Sequence, residues 1–254
     1  MITPRLPNVR SVQSGRILLL LTAAALPLYA FGCGSAPRPV AIHHLPENIM
    51  AQPRGTVGLV LANSASPLPM AMRALGIPFR ALPLALIPKT DLSSYQILVV
   101  DELALDQDVG FAAYASMIDN VKQHGLTLLL LYQQTPTLVK ATRAVPFKLY
   151  PRDVEYRLLL TSPRRDDPVM TTPNTITPAN LDSMSLRTHQ LVHGGADSRA
   201  IVSANLDNPD SSGVFVWEPR DRGAIWYFAL PIAARAADGY EAEQKVLANF
   251  MSNR

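Results

Sequence analysis

The sequence predicts an α/β domain built on a doubly wound, mostly parallel sheet with an antiparallel C-terminal extension. Three observations carry that expectation. Short continuous apolar runs at 57–62, 96–100 and 126–131 have the length and make-up of strands covered on both faces. Helical segments follow the first and second of these runs, closed by Gly76 and Gly125 in the usual stop position. The connections are short, which favours parallel pairing through right-handed crossovers.

Each element follows from its local pattern. Val57-Gly58-Leu59-Val60-Leu61-Ala62 forms the first strand, and residues 70–75 form a brief helix ahead of Gly76. A second strand is expected over 79–84 and a third over 96–100. Over 109–124, Val109, Ala112, Ala113, Met117, Ile118 and Val121 recur at helical spacing and make an amphipathic helix. The fourth strand, 126–131, follows Gly125 directly. Beyond Gln134 the pattern loosens. Strands are expected over 156–161, 200–206, 214–218 and 224–231, the last two joined by the turn-forming Pro219-Arg220-Asp221-Arg222-Gly223. Thr177-Pro178 reads as a helix start, with Thr177 as N-cap and Pro178 in the first helical position. Residues 240–251 make a closing helix with Val246, Leu247, Phe250 and Met251 on its apolar side. With no internal repeat, residues 55–254 are expected to form one domain.

The first 33 residues have a different character. Arg5, Arg10 and Arg16 precede an apolar run over 17–31, and small residues follow at Gly32, Cys33, Gly34 and Ser35. This is the order of a secretory signal, and the run is shorter than the roughly 20 apolar residues of a comfortable membrane span. Ala30-Phe31-Gly32-Cys33 resembles a bacterial lipobox, although Phe31 is bulkier than that family's usual residue. The resemblance implies cleavage before Cys33, its lipidation and a membrane anchor, with Gly34 implying outer-membrane sorting in a Gram-negative cell. An ordinary cleaved signal or an uncleaved short anchor is the alternative. A single cysteine in an exported chain cannot form an internal disulfide, which supports the lipid reading. Residues 34–54, with Pro37, Pro39, Pro46 and Pro53, read as a partly extended linker in which His43-His44 is solvated.

Composition narrows the function. At 48% hydrophobic and 17% charged residues the chain is globular rather than disordered. Its pI near 9.1 is set locally. Three of the 23 basic residues lie in the acid-free leader, and beyond it 20 bases face 20 acids. A neutral domain argues against nucleic acid as a partner, which needs a clustered basic face.

The segments "ALGIPFRAL", "DLSSYQILVVDE", "HGLTLLLLYQ", "GAIWYFALPI" and "KVLANFM", in that order across residues 56–252, resemble the class I glutamine-amidotransferase-like superfamily, particularly its trehalose-utilisation-type branch. "TTPNTITPANLD" is also similar to a segment of bacterial envelope proteins with this fold. The resemblance implies a flavodoxin-like or amidotransferase-like sheet. Catalytic members place a nucleophilic cysteine on a tight strand-to-helix turn. The equivalent turn here, Tyr132-Gln133-Gln134-Thr135-Pro136, has none, and Cys33 lies upstream of the domain.

In open parallel sheets ligands bind beyond the carboxyl ends of the strands. Those ends carry Asn63-Ser64-Ala65-Ser66, Asp101-Glu102 and Tyr132-Gln133-Gln134. Asn63, Ser64, Asp101, Tyr132 and Gln133 are therefore the candidate ligand contacts, the alternative being strand-end caps and turn formers. Asp101, Glu102 and His193 are the candidate acid–base groups, although sequence neighbours on a strand point to opposite faces. His189, His193 and Asp197 recur at a spacing that on a helix would line one face for zinc. Gly194-Gly195 breaks a helix there, and polar-loop histidines are the preferred account. Trp217, Trp226 and Tyr227 are either a carbohydrate-stacking platform or core, and strand alternation places at least some of them in the core. No G-x-S-x-G, Walker loop, G-x-G-x-x-G or paired C-x-x-C occurs, and neither a cofactor nor a metal is expected. The expected function is a non-catalytic, envelope-anchored domain that binds a partner protein or a small molecule. An envelope hydrolase or sugar-modifying enzyme is the alternative, and a structural subunit of an envelope assembly the third.

Overall fold

The computed structural model describes residues 49–51, 53, 55–133, 148–157, 166–184, 187–193, 198–203, 212–217 and 223–253. The leader with Cys33, the linker through residue 48, and Gln134, Thr135, Pro136, Gly194, Gly195, Asp197 and 218–222 lie outside them.

The parallel half of the sheet forms from the apolar runs. β1 (Val57–Leu61), β2 (Arg80–Pro83), β3 (Ile97–Val100), β4 (Thr127–Leu130) and β9 (Ile225–Phe228) stand in the order β2-β1-β3-β4-β9. All neighbours in this set pair in parallel, with Val57 opposite Ile97, Ile97 opposite Thr127 and Leu129 opposite Trp226. Alternate residues serve opposite faces. Leu59, Val99, Leu129, Trp226 and Phe228 face one core, while Val60, Leu98, Val100, Leu128, Leu130 and Tyr227 face the other. Both faces being covered, neither can be polar, and the runs read as unbroken hydrophobic stretches. Each fully buried leucine or valine contributes about 1.5–3 kcal/mol.

Helices cover the two faces. α1 (Leu68–Ala74), α5 (Ala233–Ala237) and α6 (Glu241–Ser252) enclose the first core, where Phe250 meets Trp226 and Phe228 edge-on at centroid distances of 4.9 and 5.6 Å. α2 (Gly110–His124) and a 3-10 turn at Leu84–Lys89 enclose the second. Gly125 ends α2 in the left-handed region at φ 70°, the role its sequence position predicts. Trp226 and Tyr227 are wholly core, 3% and 0% exposed, so neither is a stacking platform for carbohydrate.

The antiparallel extension is inserted between β4 and β9. It comprises β5 (Lys148–Arg157), β6 (Arg187–His193), β7 (Ser198–Ser203) and β8 (Ser212–Trp217), with β8 joining it to β9. Two short helices, α3 (Pro168–Thr171) and α4 (Pro178–Ser183), lie between β5 and β6. β5 starts well before the expected residue 156, and β6 has no counterpart among the expected strands. β6 places His189 and His193 on a strand, neither in the expected loop nor on a helix: four residues along a strand separate them by about 13 Å, too far for one zinc ion.

Candidate functional site at the strand ends

The order β2-β1-β3-β4-β9 reverses direction between β1 and β3. At such a reversal the connections leave on opposite faces, which opens a crevice beyond the carboxyl ends of those two strands. The segment after β1, the segment after β3 and the N-terminus of α5 meet there through hydrogen bonds.

Asp101, the first residue after β3, is 3% exposed. Its carboxylate accepts from the Glu102 amide at 2.9 Å, from the Ala62 amide and from the Ser66 hydroxyl. Ser66 Oγ in turn accepts from the Leu68 amide at 3.1 Å, so the start of α1 is tied to the end of β3. Glu102 faces elsewhere. Its Oε1 accepts from the Ala233 amide at 2.8 Å, and the Ile232 amide also donates to the carboxylate. This fastens the free donors at the start of α5, a capping role met here from 131 positions away in sequence.

Burial pushes both carboxyls above the ordinary carboxylate range, against the opposing pull of their hydrogen bonds, and the Asp101 charge adds to the rise at Glu102. Between the unfolded value of about 4 and the raised folded value, the native chain holds more protons than the unfolded one. These two groups therefore add stability as pH falls through that window and withdraw it as pH rises. Urea unfolding of wild type and Asp101→Asn from about pH 8 down to pH 4 is expected to show wild type gaining on the variant. Parallel profiles, or a wild type that loses ground toward acid, would reject the assignment.

After β4, Tyr132 is half-buried and its carbonyl accepts from the Leu103 amide at 2.8 Å. Burial raises its phenol, and the Asp106 charge raises it further. Leu103 takes the left-handed backbone conformation at φ 58° and leaves its side chain 41% exposed. Gln133 is fully buried. Its Oε1 accepts from Leu105 N at 2.8 Å, and its Nε2 donates to the carbonyls of Asp101 at 2.7 Å and Leu131 at 2.8 Å. It bolts β4 to the 3-10 turn Ala104–Asp106 and is closed to solvent.

Asp101, Glu102, Tyr132 and Gln133 are thus brought together around one end of the sheet. Asn63 and Ser64 stand exposed on its rim, with Asn63 Oδ1 accepting from the Ala65 amide at 2.8 Å in a tight local turn. His193 is not brought in. β6 lies four strand positions from β3, about 19 Å across the sheet at the usual spacing, and the His193 side chain lies outside what is described. Asp101 and Glu102 are engaged by different partners, so they form no facing acid–base pair. Sequence reasoning placed Ser66 in the strand-end segment without choosing it as a contact, and missed the α5 amides. Ser66 was findable, as a hydroxyl just before Pro67 and a helix start; the Glu102 contact was not, because only the tertiary fold creates it. Among the described residues no group of three or more His, Cys, Asp or Glu could hold a metal ion.

No protein-family model matches the chain, and no curated protein matches it. Among solved structures, a GMP synthase-like protein from Thermoplasma acidophilum is similar at 9% identity and a TM-score of 0.44, over 77% of this chain and 94% of that one. A ThuA-like protein from Bacteroides uniformis is similar at 10% identity and a TM-score of 0.46, over 81% of this chain and 93% of that one. The α/β class itself rests on the strand order and pairing of this chain.

Proposed function

We propose that this protein is a non-catalytic binding domain of the bacterial envelope, held to the membrane through a lipidated Cys33 and taking a small polar ligand or a segment of a partner protein at the β1–β3 crevice. The observation that carries the binding assignment is the exposure of Asn63 and Ser64 at the reversal point of the sheet. Its non-catalytic character is supported by how these groups are used. Asp101 and Glu102 are already occupied by amide and hydroxyl donors, Gln133 is sealed in, and no cysteine follows β4. A base must reach within about 2.6–3.2 Å of the proton it takes, and these carboxylates are turned toward the protein.

Two measurements test the reading. Mass spectrometry of the full chain expressed in a bacterium is expected to give a mature N-terminus at Cys33 carrying diacylglycerol, lost in Cys33→Ser; an intact, unacylated Met1 terminus defeats the anchoring part. Thermal denaturation against a panel of small polar metabolites is expected to reveal a ligand that raises the melting temperature by about 5–10 °C at a hundredfold excess over its Kd. That shift should vanish in Ser64→Trp, which fills the rim. Turnover of any of these compounds would instead make the crevice an active site.

A further inference from the structure

We propose that the Asn174 side chain is a clasp that grips the chain entering the domain, so that the domain is held at Met50 and through α6 rather than by β1. The entering segment runs in the extended alternating manner: Ile49 and Ala51 pack against the first core, while the Met50 side chain points out, 54% exposed. Asn174 pairs with Met50 as a neighbouring strand would. Its Oδ1 accepts from Met50 N at 2.9 Å and its Nδ2 donates to Met50 O at 2.7 Å. A single amide side chain thus satisfies both main-chain groups of one residue, a geometry that reads backbone and ignores side-chain identity.

The clasp is itself anchored. Asn174 is 5% exposed, and Asn249 Oδ1 on α6 accepts from both its main-chain N at 3.0 Å and its Nδ2 at 2.9 Å. Asn249 Nδ2 donates to the carbonyls of Val169 and Asn174, each at 2.7 Å. Tension on the entering chain therefore passes to the closing helix at Met50, before it reaches β1, whose carboxyl end forms the crevice. Resting on the lipid-anchor reading, the 15 residues between Cys33 and Ile49 would allow at most about 50 Å of chain when fully extended.

The test uses the full chain in detergent, with native Cys33 and with Cys33→Ser, so that clasp and anchor are judged separately. Amide exchange at Met50, read by fragmentation mass spectrometry, is expected to be slowed about a hundredfold or more relative to an unstructured chain in both forms, and to lose that protection in Asn174→Ala. Random-coil exchange at Met50 in the wild type, or full protection in folded Asn174→Ala, overturns the clasp. If Asn174→Ala fails to fold, Met50→Pro removes the entering chain's donor while leaving Asn174 and Asn249 in place. A low-specificity protease should then nick residues 46–53 at least about tenfold faster than in wild type, and equal rates overturn the proposal.

Discussion

Replacing Asn249 by alanine is expected to destabilise the domain by about 3–5 kcal/mol, measured as the change in unfolding free energy in urea. Asn249 has no exposure, and its amide makes four hydrogen bonds that join α6 to Val169 and to the clasp residue. Truncation strands the Asn174 amide and the carbonyls of Val169 and Asn174 in a space closed to water. Each such orphan costs about 1–3 kcal/mol, with relaxation making the sum smaller than the parts. Asn249→Asp discriminates between lost packing and lost bonding: nearly isosteric, it keeps the acceptor and turns both carbonyl contacts into repulsions, so it should be at least as damaging as alanine. A loss under about 1 kcal/mol for both variants would mean that the network contributes little.

The second large effect is steric. Gly110 opens α2, and a Cβ there would lie 2.0 Å from the Leu105 carbonyl oxygen and 2.5 Å from its carbon. These are backbone atoms of the 3-10 turn that Gln133 fastens through the Leu105 amide, so no rotamer change can make room. Gly110→Ala would favour an isolated helix by about 1 kcal/mol. Here it is expected to be destabilising by about 2–3 kcal/mol, because the turn must move away from α2. The displacement also pulls on Gln133, so the variant should lose any ligand-induced melting shift found for the crevice. A variant more stable than wild type would show that the turn yields freely and that the close approach has no energetic weight.

At the end of β4 Gln133 is packed in fully, its amide spent on fastening β3, β4 and the 3-10 turn to one another. A residue type that reads as a ligand contact in the sequence is a structural fastener in the fold. Its burial, not its chemistry, decides the difference.

Sequence alone determined the parts of this protein that depend on local pattern. The buried strands β1, β3 and β4, the helix α2 with its Gly125 stop and the closing helix α6 were legible because full burial on two faces leaves these strands apolar but for Thr127, and one-sided burial imprints a helical period. Tertiary structure alone decided where β9 inserts, that β6 exists, and what each polar side chain at the strand ends does. Those outcomes depend on contacts such as Glu102 with Ala233 and Asn174 with Met50, made across 131 and 124 positions. A carboxylate or amide looks the same in sequence whether it awaits a ligand or caps a distant helix, because hydrogen-bonding capacity is local while the partner that consumes it is supplied by the fold.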